Sequence, residues 1–195
     1  MSKTKIAIFA SGTGSNAKAI IEHSFQANYE VDLIISNKKN AGVLNFSEEF
    51  DIDAMVIDKE TFYEDDILIH FLQQRDIKYL ILAGFLWQIP SYLIQAFPER
   101  ILNIHPALLP KYGGKGMYGS NVHQAVFDAK EKESGLTIHL VNEEYDKGEI
   151  LFQTKIEVLA TDTPKNIASK ILKLEHKHYP QIIEKYIAEN SGVLL

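Results

Sequence analysis

Short, uninterrupted apolar runs alternate with stretches of helical period through the first half of the chain. A strand covered on both faces reads as such a run, so the alternation predicts a parallel sheet with helices packed on either side. The first run, Lys5 to Ala10, leads into Ser11-Gly12-Thr13-Gly14-Ser15-Asn16 and then into helical spacing through Ala17, Ile20 and Ile21. Further strands are expected at Val31 to Ser36, Ala54 to Ile57, Tyr79 to Ala83 and Ile101 to His105. Helices are expected at Ala41 to Phe50, at Tyr63 to Gln74 and, from Pro90, to Ala96. Pro106 ends strand pairing because it has no N–H to donate. Beyond it, the glycine-rich stretch Lys111 to Gly119 predicts a loop, and Asn121 to Ala129 a helix. The pattern then changes, for strands at Leu136 to Val141 and Ile150 to Val158 flank the short turn Asn142 to Glu149, which predicts an antiparallel hairpin. A last helix is expected from Pro164 to Glu189, with Ile167, Ile171, Leu174, His178 and Ile182 at helical spacing, and Ser191 to Leu195 form a tail.

The expected class is therefore α/β: a doubly wound, mainly parallel sheet with a Rossmann-like N-terminal half, a C-terminal antiparallel hairpin and a long last helix. At 195 residues, 46% of them hydrophobic, the chain can bury one good core. It has no cysteine, which excludes disulfides, a thiolate nucleophile and cysteine metal sites and suits the cytoplasm. Met1 to Lys5 run straight into a strand too short for a signal sequence or a membrane span. The formal net charge of -6 disfavours nucleic acid and anionic membranes as partners, although a small phosphate ligand needs only local donors.

Side chains alternate along a strand, so Asn103 and His105 project to the same side at the end of the fifth one. An amide donor beside a titratable ring there can polarise a carbonyl, or can simply satisfy loop carbonyls. Gly12 to Ala17 fits G-x-G-x-x-A after a first strand, where free helix N–H groups hold a phosphate; Ser15 and Asn16 add side-chain donors. The second strand closes on Ser36-Asn37-Lys38-Lys39 with no acid for a dinucleotide's ribose, so a monophosphate is favoured over NAD. Asp146 is a turn former, or a carboxylate folded over the fifth strand's end. Thr137 and His139 either support a site by hydrogen bonding or face solvent. Glu175 lies inside the apolar stripe of the last helix, where it reaches sideways to water or a lysine, or accepts from a ligand diol. Phe85, Leu86, Trp87, Gln88 and Ile89 follow the fourth strand, where apolar side chains suit a flat heterocycle or pack in the core. His176 and His178 point to different helix faces and no histidine pair has metal spacing backed by a carboxylate, so no metal is expected.

In their order and spacing, Ser11 to Asn16, Leu82 to Phe85, Asn103 to Tyr112, Gly135 to Gly148, and Glu175-His176 before Tyr179-Pro180 resemble the phosphoribosylglycinamide formyltransferases, a folate-dependent family of purine synthesis. The resemblance runs nearly the whole chain. It implies one formyltransferase domain over 1–195: a phosphate- and ribonucleotide-binding half at 1–102, a catalytic and folate-binding half at 103–189, and a tail at 190–195. By the same resemblance Asn103, His105 and Asp146 are the catalytic set. Gly12, Thr13, Gly14, Ser15 and Asn16 hold the phosphate of 5-phosphoribosylglycinamide (GAR), and Gly84 and Glu175 contact the same substrate. Phe85, Leu86, Trp87, Gln88 and Ile89 with Leu140, Val141, Asn142, Glu143 and Glu144 bind the co-substrate, 10-formyltetrahydrofolate, and Thr137 and His139 support the site. The implied partners are these small molecules, without nucleic acid, membrane or metal, in a monomer or homodimer.

In the implied reaction the glycinamide amine attacks the formyl carbon, and the Asn103 amide and a protonated His105 stabilise the tetrahedral oxyanion. Asp146 charge-stabilises the imidazolium and accepts the amine's proton, directly or through water. Trp87 stands where relatives commonly carry arginine, the Gly113 to Gly119 loop is longer than in many, Leu140 replaces a more usual aromatic or valine, and Glu64-Asp65-Asp66 occupy a place where a basic residue often helps hold an anion. Competing expectations are a methionyl-tRNA or sugar-nucleotide formyltransferase, a formyltetrahydrofolate deformylase, and a non-catalytic nucleotide-binding module. Methionyl-tRNA formyltransferases normally add an RNA-binding domain and deformylases a regulatory one, and neither is expected here.

Overall fold

In the computed structural model, which describes residues 2–64 and 67–190, the apolar runs become the strands β1 (Thr4–Phe9), β2 (Tyr29–Ser36), β3 (Asp53–Val56), β4 (Tyr79–Leu82) and β5 (Ile101–His105). The hairpin strands are β6 (Glu133–Leu140) and β7 (Ile150–Glu157). Together they form one seven-stranded sheet in the order β3-β2-β1-β4-β5-β6-β7. Strands β1 to β5 pair in parallel, whereas β6 pairs antiparallel with both β5 and β7.

Strand alternation sends β1 to both sides of this sheet. Ile6 and Ile8 enter a core closed by α1 (Ser15–Ser24), α6 (Ser120–Asp128) and α7 (Pro164–Asn190). Ala7 and Phe9 enter the opposite core, closed by α3 (Lys59–Glu64), α4 (Ile67–Gln74) and α5 (Ser91–Ala96). That two-sided cover explains why the runs lack polar interruptions. Strand order turns back between β1 and β4, which opens a crevice at their carboxyl ends. Two hydrogen bonds pin that crevice: Ser11 N–H donates to Gly84 O (3.0 Å) and Leu86 N–H to Ser11 Oγ (2.9 Å).

Several expected boundaries shift. The helix expected over Ala41 to Phe50 is a 3-10 turn, Gly42–Asn45, followed by the short helix α2 (Phe46–Phe50). Its start is bent against the glycine loop, where Val43 N–H donates to Gly12 O (3.1 Å) and a Cβ on Gly42 would stand 3.1 Å from Thr13 Cα. The helix expected from Tyr63 begins earlier, at Lys59, because Asp58 Oδ1 caps it by accepting Thr61 N–H (2.9 Å). Asp65, Asp66 and the tail Ser191 to Leu195 lie outside the described residues, as does the Glu64 side chain. In α7 the buried stripe is Ile167, Ile171, Glu175, Tyr179, Ile183 and Ile187; Leu174, His178 and Ile182, expected on it, are only half-buried. Among the described residues, no helix is long and apolar enough to cross a membrane.

Tyr179 is fully buried, and its hydroxyl reaches the carbonyls of both Leu82 and Leu102 (3.0 Å each), tying α7 to the ends of β4 and β5. Tyr179→Phe removes that donor while keeping the ring. Urea denaturation should show a loss of about 1 kcal/mol with an unchanged m-value.

Candidate active site

The pairing of β5 with β6 sets Asn103 opposite His139 and His105 opposite Thr137. His139 Nδ1–H donates to Leu140 O (2.7 Å), which leaves Nε2 to accept from Asn103 Nδ2 (3.1 Å). A carbonyl only accepts, so the contact of His105 Nε2 with Tyr112 O (2.7 Å) puts the His105 proton on Nε2 and leaves Nδ1 as a lone pair. The turn between β6 and β7 folds Asp146 back over these rings, with φ at +55°. Its Oδ2 accepts Gly114 N–H (2.8 Å) and lies 3.7 Å from His105 Nδ1; its Oδ1 lies 3.6 Å from His139 Nε2. Gly113 makes room, for a Cβ there would stand 3.2 Å from Asp146 Cβ.

Burial alone would raise the Asp146 pKa, but the His139 ring, the His105 charge and the Gly114 N–H more than reverse it, so the carboxylate is held below its usual range. Burial pushes the His105 imidazole below its ordinary value, with the Asp146 charge opposing. The ligand-free site therefore favours a neutral His105.

Thr137 and His139 are buried and do not face solvent. Thr137 Oγ1 donates to Ala107 O (2.7 Å) and accepts from Leu109 N–H (3.1 Å) and Gln153 Nε2 (2.8 Å). These bonds hold the turn that follows His105.

At the other wall, Gly14 precedes α1 with φ at +83°, and a Cβ there would meet Val43 Cβ at 2.7 Å, so only glycine fits. Asn16 Nδ2 donates to Glu175 Oε2 (2.7 Å). Glu175 is 7% exposed, and burial raises its pKa against the opposing Asn16 bond. Its partner is thus an amide of the glycine loop, not the lysine or water considered from sequence.

A cavity of about 950 Å³ joins these groups. Its lining includes Asn16, Gly84 and Glu175, the polar set Asn103, His105, His139 and Asp146, and Phe85, Leu86, Trp87, Gln88, Ile89, Val141, Asn142 and Glu144. Gly12 and Thr13 instead border a neighbouring depression with Lys38 and Lys39, and Ser15 a third beside Lys18. Gly14, Thr137, Leu140 and Glu143 do not line the cavity. Leu140 is buried in the core, and Glu143 O accepts Gln88 Nε2 (3.1 Å). Trp87 is fixed by rings, 5.5 Å from Phe62, 6.0 Å from Tyr63 and 6.1 Å from Phe85.

Sequence reading missed His123, a buried wall residue on α6, and Lys165, Ser169 and Leu172 on α7. The α7 trio carried a signal, since these positions lead to Glu175 at steps of four, three and three along one helix face. Among the described residues, no group of three His, Cys, Asp or Glu side chains is arranged to hold a metal ion.

The model of the Formyl transferase family matches residues 4–183. Phosphoribosylglycinamide formyltransferase of Bacillus subtilis is 34% identical over 193 residues, 96% of each chain. The chloroplastic enzyme of that name from Arabidopsis thaliana is 43% identical over 93% of this chain, which spans 64% of the plant protein's length. The phosphoribosylglycinamide formyltransferase structure from Bacillus halodurans superposes with a TM-score of 0.86 at 33% identity, covering 96% of this chain and 98% of that one.

Because His105 titrates below its unfolded value of 6.5, its contribution to stability is complete above that pH and lost as the pH falls through the folded value. Asp146→Asn removes the charge that opposes burial. In an NMR titration of the histidine rings, the His105 midpoint should lie below 6.5 and move lower still in that variant.

Proposed function

The chain belongs to the formyl transferase family, and we propose that it transfers the formyl group of 10-formyltetrahydrofolate to the amine of GAR, as a cytoplasmic enzyme of purine synthesis. The carrying observation is one cavity lined at once by Asn103, His105 and Asp146, by the apolar side chains Phe85, Leu86, Ile89 and Val141, and by the hydrogen-bonding pair Asn16 and Glu175. An acceptor and a donor substrate bound in it together would meet over the first three side chains.

The apolar set Phe85, Leu86, Ile89 and Val141 suits the flat pterin of the folate. Asn16 and the first N–H groups of α1 suit a phosphate, and the buried Glu175 carboxylate suits the ribose diol. Both halves of the one domain contribute to each side: Phe85, Leu86 and Ile89 come from residues 1–102 and Val141 from 103–189, while Asn16 and Glu175 pair across the two.

The amine attacks the formyl carbon, forming a C–N bond and an oxyanion. The Asn103 amide spends one hydrogen on His139 and has a second for that oxygen. Negative charge on the oxygen favours His105 taking a proton from solvent at Nδ1, and Asp146 Oδ2, 3.7 Å away, stabilises the resulting cation. Asp146 also receives a proton from the attacking nitrogen, directly or through water; collapse breaks the bond to folate N10, which takes that proton on, directly or through water, and leaves Asp146 a carboxylate again. No covalent enzyme intermediate is needed.

Mixing the protein with both substrates should give amine-dependent formation of tetrahydrofolate; formate release without amine would mark a deformylase instead. Asn103→Ala should lower kcat by about two to three decades with little change in either KM. Glu175→Gln should raise the KM for GAR by about 10- to 100-fold while the folate KM holds.

A further inference from the structure

His105 gains its usable tautomer from a carbonyl, and that carbonyl belongs to a residue in an uncommon conformation. Tyr112 has φ at +57°, the left-handed region that a bulky side chain rarely adopts. This backbone turn brings Tyr112 O within 2.7 Å of His105 Nε2. The Tyr112 hydroxyl, at the far end of the same residue, donates to Glu131 Oε1 (2.9 Å), which also accepts Lys111 Nζ (3.0 Å). Glu131 is placed by the turn after α6, where its N–H donates to Val126 O (3.2 Å). The Tyr112 ring also packs against the core beneath the sheet. Neither Tyr112 nor Glu131 borders the cavity.

We propose that the Tyr112–Glu131 hydrogen bond is a positioning device that holds the Tyr112 carbonyl against His105 and so keeps the catalytic imidazole in its Nε2–H tautomer. With the proton on Nε2, the lone pair on Nδ1 faces Asp146, and the next proton arrives where the oxyanion and the carboxylate can both use it. The opposite tautomer would turn a lone pair toward the Tyr112 carbonyl and place its hydrogen on Nδ1 before any oxyanion forms. Lys111 and then Tyr112 hold Glu131 below the usual carboxylate range, and burial and Glu131 push the Tyr112 hydroxyl up. One side of the bond therefore remains an acceptor and the other a donor at neutral pH. The kinetic part of this inference rests on the proposed formyl transfer; the tautomer part does not.

Tyr112→Phe and Glu131→Leu each remove the bond, and Glu131→Gln keeps an acceptor oxygen. Nitrogen-15 NMR of the histidine rings at pH 7.5 should find His105 in the Nε2–H form in the unmodified protein and in Glu131→Gln, and a mixture of tautomers in the other two. Formyl transfer should show kcat reduced on the order of tenfold in those two, with both KM values within about twofold. Because Glu131 is on the surface, Glu131→Leu carries the test if Tyr112→Phe fails to fold. A His105 that stays wholly Nε2–H in both variants overturns the proposal, whatever happens to kcat. Absence of formyl transfer by the unmodified protein overturns the functional reading and leaves the tautomer measurement decisive for the device.

Discussion

The Asp146 carboxylate lies between two buried imidazoles, 3.7 Å from one and 3.6 Å from the other, and accepts the Gly114 N–H as well. A buried charge without such partners would neutralise or expel itself. Each partner comes from a different part of the chain. His105 ends a parallel strand, His139 lies on its antiparallel neighbour, and Gly114 belongs to a loop that needs Gly113 to pass so close. The β5–β6 register, the hairpin turn and the glycine-rich loop are thus fixed against one another by one anion.

Much of this was legible in the sequence. Apolar runs without interruption gave the parallel strands, because each strand is covered twice, and the short connection after Val141 gave the hairpin. Asn103 and His105 fall on one face by strand period alone. The break at Gly42 was not legible, since it arises from contact with Thr13, which no local pattern records. The α7 stripe runs through Ile171, Glu175, Tyr179 and Ile183 at four-residue steps, which leaves the expected Leu174, His178 and Ile182 at its margin. The charge state of His105 depends on how completely it is buried, and hydropathy along a strand does not report that.

The same limits apply to the cavity. Trp87 could not be placed from its neighbours in sequence, because two of the rings that fix it, Phe62 and Tyr63, come from α3. Asn16 was legible as a donor and Glu175 as an odd carboxylate in an apolar stripe, but their mutual bond was not.

That bond joins residues 159 positions apart. A growing polypeptide therefore displays its glycine loop long before the acidic partner has left the ribosome, and the ligand-binding wall stays incomplete until the last helix docks. Whatever binds that wall therefore stabilises only the form in which the last helix has docked.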